Sequence, residues 1–190
     1  MIVALTGKKQ SGKSTAAKYL EDKYGFVRLN FKDALVKEIK ERMPDLLQQI
    51  IKVLDATQYD GNAPWTVDSL FEIKPPIIRT LMQNYGTEVR RKDHEDYWVV
   101  KWLKEAQQYE NVVVDDCRFL NEASAIRSMH GWILLIHRQD MESADTHQSE
   151  TEMDQITVDR VVSLKTGEHD KLYAFLDKFT DWTDRSEQSL

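Results

Sequence analysis

Gly7 to Ser14 reads GKKQSGKS, a match to the spacing G-x-x-x-x-G-K-[ST]. Glycines at both ends let successive backbone N–H groups converge on an anion. The lysine and the hydroxyl then fall where a nucleotide's phosphates need a cation and a divalent metal needs a hard oxygen. Lys13 is expected to reach the β- and γ-phosphates of ATP, and the Ser14 hydroxyl to ligate Mg²⁺. Gly7, Lys8, Gln10, Ser11, Gly12 and Thr15 complete the expected phosphate cradle. The bland alternative is a Gly-Ser turn before a solvated, lysine-rich helix. The apolar run directly before the loop and the helical pattern directly after it argue against that alternative.

A second constellation is VVVDDCRFLNEASAIR, Val112 to Arg127. Three valines ending in two carboxylates have the form of a Walker B strand. Successive strand residues face opposite ways, so Asp115 and Asp116 cannot share one task. Asp115 is assigned to the metal side and Asp116 to the acceptor side beside Arg118, with the reverse assignment left open. Arg118 is placed to neutralise a transferring phosphoryl group or to pair with Asp116, and the two roles are compatible. Glu122 is placed to anchor that arginine or a sugar.

A third group is Arg79, Gln83, Gly86 and Arg90, at i, i+4, i+7 and i+11. One uninterrupted helix would line them up as a polar stripe, with Gly86 admitting a ligand to the backbone. Arginine forks suit a phosphomonoester, and Arg91 adds charge nearby. A solvated basic helix face is the alternative. Phe31 and Trp98 are candidates to stack on an acceptor base, against the commoner fate of aromatics as core. Arg138 precedes a stretch, 139–159, with seven acidic residues and no Lys or Arg. It is therefore the single cation expected to reach ATP from a lid. Cys117 reads as a buried thiol, and the histidines show no metal spacing.

These residues need a frame that puts them at one edge. Ile2–Thr6 reads as a buried strand, 15–24 as a helix stopped by Gly25, and 26–31 as a second strand. Helices are expected over 33–43, 46–54, from Pro75-Pro76 onward, and over 95–109 with Asp93 as N-cap. Strands follow at 112–116, 132–137 and 160–164, with helices at 121–130 and 169–182. Strands alternating with helices predict an α/β fold: a parallel sheet with helices on both faces, which with the phosphate loop is of the P-loop NTPase type and which the resemblance described below narrows to nucleoside monophosphate kinase-like. In such a sheet all strand C-terminal ends share one edge, which brings the loop after Thr6 to the two aspartates. One P-loop kinase domain over 1–190 is expected, with a helical acceptor-binding insert at about 32–110 and a lid at about 138–158.

Composition narrows the partners. The chain has 190 residues, a net charge of −6 and one cysteine. An acidic protein gains no general attraction to a polymeric nucleic acid, so none is expected as partner. One cysteine excludes a disulfide framework within the chain and suits a reducing compartment. No stretch approaches the roughly 20 apolar residues of a membrane span, so the expected location is cytoplasmic. A homodimer is left open.

GKKQSGKST, LMQNYGTEVRR with YWV, and VVVDDCRFLNEASAIR together resemble the bacteriophage deoxynucleoside monophosphate kinases, over residues 1 to about 175. THQSE, Thr146 to Glu150, is similar to a lid stretch of that family. The positions that match are Lys13, Ser14, Gln83, Gly86, Thr87, Arg91, Trp98, Asp116, Arg118, Asn121 and Glu122. The resemblance implies transfer of the ATP γ-phosphoryl to a dNMP with Mg²⁺. It implies an acceptor held by Phe31, Arg79, Gln83, Gly86, Arg90, Arg91, Trp98, Asp116, Arg118 and Glu122. The last strand and helix bracket LKTGEHDKL, Leu164 to Leu172, where such folds commonly hold adenine. Two other readings stay open: a kinase of another phosphomonoester such as dephospho-coenzyme A, and a nucleotide-binding regulator without turnover.

Overall fold

The computed structural model describes residues 1–62, 64–140 and 152–187, with side chains through Thr183. The chain forms two compact units, Met1–Phe31 with Trp102–Leu190, and Lys32–Lys101.

The first unit is built on a five-stranded sheet. Its strands are β1 (Ile2–Thr6), β2 (Val27–Arg28), β3 (Val112–Val114), β4 (Trp132–Arg138) and β5 (Arg160–Leu164). They lie in the order β2-β3-β1-β4-β5, and every pairing is parallel. The central strands are apolar throughout because both faces are covered. Val3 and Leu5 point to the side holding α1 (Lys13–Tyr24) and α8 (His169–Glu187), where Ala16, Ala17, Leu20, Leu172 and Leu176 close the core. Full burial of a leucine such as Leu20 contributes about 2 kcal/mol. Helix α7 (Leu120–Ser128) packs on β1 and β4 from the other side, with Ile126 and Ile2 meeting at Gly131. Helices therefore cover both faces, as the strand–helix alternation predicts.

The second unit is helical. It contains α3 (Pro44–Ala56), α4 (Val67–Ile73), α5 (Pro76–Gln83), most of α2 (Phe31–Arg42) and the first half of α6 (Tyr97–Ala106). Its core gathers Ile39, Leu47, Leu70, Ile78 and Trp98.

Several expected elements differ. The strand predicted over 112–116 ends at Val114, so Asp115 and Asp116 follow β3 and a strand pleat does not set their directions. The strand predicted over 26–31 is only Val27–Arg28, and Phe31 instead starts α2. An Asp116 carboxylate oxygen accepts the Phe31 N–H at 3.0 Å, a cap supplied from 85 residues away. The helix predicted over 95–109 spans Tyr97–Ala106, and Asp93 does not cap it. The helix from Pro76 changes pitch: α5 ends at Gln83 and a π-helix runs over Asn84–Arg91. Of the expected lid, 141–151, with His147 and the THQSE stretch, lies outside the described residues. Glu152–Gln155 forms a 3-10 turn.

Candidate active site

The phosphate loop owes its shape to two glycines doing different work. Gly7 has φ of 139°, and a Cβ there would stand 2.3 Å from the Ile136 carbonyl oxygen and 2.9 Å from Ser11 Oγ. Neither the conformation nor the space admits a side chain. Gly12 (φ 107°) precedes α1, whose N-terminus receives no side-chain cap and has no acidic residue in its first turn. The N–H groups and the positive end of the helix dipole therefore face the loop, which is the arrangement an anion requires. Ser11 is buried, whereas Ser14 is exposed at the start of α1. Lys13 folds back over the loop. Its Nζ donates to the carbonyl oxygens of Gly7 at 2.5 Å and Lys8 at 2.7 Å. Lys8 itself reaches Asp154 at 2.8 Å.

The two aspartates take different partners. Asp115 is 5% exposed, and its Oδ2 lies 3.5 Å from a guanidinium nitrogen of Arg28. The same guanidinium binds Glu21 and lies 3.4 Å from the Ser14 carbonyl oxygen. Arg28 thus joins Asp115 to the start of α1. The Asp115 N–H donates to the Asn30 side chain at 2.8 Å. Asp116 turns instead to Phe31. Arg28 and Asn30 were absent from the residues singled out in the sequence. The only sequence signal for them is a polar alternation inside FVRLNF.

Arg118 is half-buried, and its backbone N–H donates to Glu122 Oε2 at 2.8 Å. Phe119 donates to the same oxygen at 3.1 Å. Glu122, 2% exposed, is therefore a brace for the Arg118 turn, which corrects its placement as a ligand of the acceptor. A carboxylate on two backbone donors has its geometry set from inside the fold. Cys117 is fully buried, and burial, with Glu122 and Asp116 adding to it, pushes its thiol well up, so it stays protonated and inert.

Arg138 ends β4. One of its terminal nitrogens donates to Thr166 Oγ1 at 2.6 Å, and Nε lies 3.4 Å from Asp140. It lines a cavity of about 250 Å³ with Gln10, Gly12, Thr15, Gly167 and His169. The phosphate loop and the Leu164–Leu172 stretch thus share one pocket inside the first unit.

In the second unit the structure corrects four expectations. The π-helix carries about one residue more per turn than an α-helix, so Arg79, Gln83, Gly86 and Arg90 do not form one stripe. Arg79 and Gln83 are exposed, but Gly86 is buried, with a Cβ position 3.1 Å from Leu35 Cδ2. Its carbonyl accepts Trp98 Nε1–H at 3.1 Å. Gly86 thus admits a neighbouring helix, not a ligand. Trp98, 3% exposed, is core and packs edge-on against Tyr97. Phe31, in the first unit, is equally buried and packs at a tilt against Trp102, ring centroids 4.8 Å apart. Neither ring presents a face for a base.

Arg90 is engaged with Glu38. Glu38 is 4% exposed and accepts from Tyr85 Oη at 2.8 Å and Tyr97 Oη at 2.6 Å. Arg90 binds the same carboxylate and donates to Tyr85 Oη at 3.1 and 2.8 Å. Arg42 at 3.1 Å and Lys101 at 3.3 Å complete the ring. Burial raises the Glu38 pKa, but the hydrogen bonds from Tyr97, Tyr85, Arg90 and Lys101 outweigh it and hold the group at about 2. A guanidinium so committed is a poor phosphate ligand, so Arg90 leaves the acceptor set. Arg79 and the half-buried Arg91 stay as its arginine candidates. Sequence reading missed Glu38, although its spacing to Leu35 and Ile39 places it on the buried side of α2.

Comparisons with known proteins identify the family. The deoxynucleotide monophosphate kinase family matches residues 52–174. A protein of Acanthamoeba polyphaga mimivirus, provisionally named a deoxynucleotide monophosphate kinase, is 30% identical over 188 residues, covering 92% of this chain and 93% of its own. Among solved structures, shikimate kinase from Aquifex aeolicus overlaps with a TM-score of 0.48 at 16% identity, covering 96% of this chain and 98% of that one. Dephospho-CoA kinase from Campylobacter jejuni overlaps at 0.44 and 13%, with the same coverage. No helix among the described residues is long and apolar enough to cross a membrane. With a phosphate loop at the edge of a parallel sheet and a family match across most of its length, the chain belongs to the deoxynucleotide monophosphate kinases, which are nucleotide phosphotransferases.

Proposed function

We propose that the protein transfers the γ-phosphoryl group of Mg²⁺-ATP to a deoxynucleoside monophosphate, giving ADP and a deoxynucleoside diphosphate. The observation that carries the reading is the Lys13 ammonium folded onto an uncapped, glycine-built phosphate loop in a chain of this family. An oxygen of the acceptor monophosphate attacks the γ-phosphorus. The bond to the β–γ bridging oxygen breaks, and its electron pair leaves with ADP. That acceptor oxygen is already anionic, so no general base is needed. Lys13 exchanges loop carbonyls for phosphate oxygens, and Arg118 offsets charge on the phosphoryl group in flight.

Ser14 and Asp115 would supply the hydroxyl and carboxylate oxygens that Mg²⁺ prefers, with Asp115 exchanging its contact to Arg28 for the ion. Bound there, the ion would neutralise phosphate charge and orient the β- and γ-groups. The cavity beneath Arg138 suits the adenine. Arg79 and Arg91 are proposed for the acceptor phosphate, with Gln83, Thr87, Asn121 and Asp116 on the acceptor side.

A coupled assay for ADP with ATP and a panel of dNMPs and NMPs tests the reading. Turnover with at least one dNMP is expected. No ADP with any of the four common dNMPs, or turnover of dephospho-coenzyme A alone, would overturn it.

A further inference from the structure

The short turn Glu152–Gln155 does something its sequence does not advertise. Three consecutive residues each bind into the site, one at the Arg118 turn and two at the phosphate loop. The Glu152 carboxylate accepts the N–H of Leu120 at 2.9 Å, the first residue of α7, two positions after Arg118. Met153 is 4% exposed, and its sulfur accepts the Gly7 N–H at 3.3 Å. Asp154 holds Lys8 at 2.8 Å. The segment just beyond is anchored in turn. Asp159 accepts the Ile133 N–H at 2.7 Å and binds Arg127, which also donates to the Thr157 carbonyl at 3.0 Å. The turn therefore stands on β4 and α7 while gripping the phosphate loop and the Arg118 turn together.

We propose that Glu152–Gln155 is a clasp that sets the spacing between Lys13 and Arg118, and that Glu152 and Asp154 are positioning residues for phosphoryl transfer. This rests on the proposed reaction. The physical reason is leverage. Two cations must meet one phosphoryl group, and displacements near 1 Å cost turnover heavily. The Lys8–Asp154 pair is exposed on both sides, so its loss changes stability little. A change in turnover on breaking it then reports geometry and not unfolding.

The test compares Glu152→Ala, Asp154→Ala and the conservative Glu152→Gln and Asp154→Glu. Glu152→Ala is expected to lower kcat about tenfold with the KM for ATP within about twofold of the parent. Asp154→Ala is expected to raise the KM for ATP, and the Kd by calorimetry, about threefold or more with kcat little changed. Gln at 152 still accepts the Leu120 N–H, and Glu at 154 still pairs with Lys8, so each should restore most of the loss. Alanine variants within about twofold of the parent in both constants, or losses that the conservative variants do not restore, overturn the proposal. If the parent phosphorylates no dNMP, the reaction reading fails. ATP calorimetry on Asp154→Ala then still decides the clasp: weakened binding restored by Glu upholds it, and unchanged binding overturns it.

Discussion

Lys13, buried, and Arg90, half-buried, are cations in different company. Lys13 donates to the carbonyls of Gly7 and Lys8 in the first unit, while Arg90 lies against a buried carboxylate and two tyrosines in the second. Carbonyl dipoles hand an ammonium over to a phosphate readily. A buried carboxylate ringed by Arg90, Arg42, Lys101 and two hydroxyls does not release its partners, because each would leave a desolvated charge behind. Under the proposed function one cation is stored for chemistry, while the other is spent on architecture. Counting arginines in a sequence cannot tell the two apart.

The largest expected effect breaks the first side of that contrast. Lys13→Ala should lower turnover by about 10³-fold or more, with the unfolding midpoint close to the parent, as steady-state kinetics and thermal melts would show. Loss of folded protein instead would mean that Lys13 is architectural as well.

Glu38→Gln probes the other side. It leaves three cations converging on a neutral amide and should cost about 3 kcal/mol in urea unfolding. The pH dependence has a definite sign. The Glu38 carboxyl is held at about 2 in the folded chain, below its ordinary 4.5. Its contribution is therefore complete above about pH 4.5 and is lost as pH falls toward 2. Melting midpoints of parent and variant should converge across that window.

Asp116 sharpens the comparison in the smaller middle range. It caps Phe31 with one oxygen, so Asp116→Ala should cost about 1 kcal/mol, whereas Asn caps nearly as well. Under the proposed function, Asp116→Asn still lowers dNMP turnover while ATP affinity by calorimetry is unchanged. Full turnover in that variant would reduce Asp116 to a cap.

The smallest effect isolates burial. Asp177 resembles Glu38 in drawing several donors to one carboxylate, with Tyr19, Tyr24 and Lys23 all at Oδ1, but its side chain is 34% exposed. Water screens this cluster, so Asp177→Asn should cost only about 0.5 kcal/mol, a shift of a degree or two in the melt.

The legible parts of the molecule are local. β1, the loop and α1 follow from a β-branched run, two glycines and an Ala-Ala-x-x-Leu spacing, all within 24 residues. β5 matches its predicted span residue for residue because strand length and flanking turns are both written there. The illegible parts answer to distant partners. Phe31 reads as strand by composition, yet the carboxylate of Asp116 captures its N–H for a helix. Gly86 reads as an opening for ligand, yet Leu35 of another helix fills the space. The π-helix has no signature in NYGTEVRR, since an extra residue per turn is stabilised by what its side chains meet, as Tyr85 and Arg90 meet Glu38.

By itself the sequence determined the chemistry's first half: a phosphate loop after a buried strand, aspartates ending another, and a parallel α/β order. Those are properties of contiguous residues, where backbone conformation and side-chain type decide the outcome. Only the tertiary structure decided which partner each charge meets. Pairing is a matter of three-dimensional distance and burial, and Glu38 lies 52 positions from Arg90, Asp154 146 from Lys8. The same reason made Glu122 a brace, Trp98 a core residue and Glu152–Gln155 a clasp.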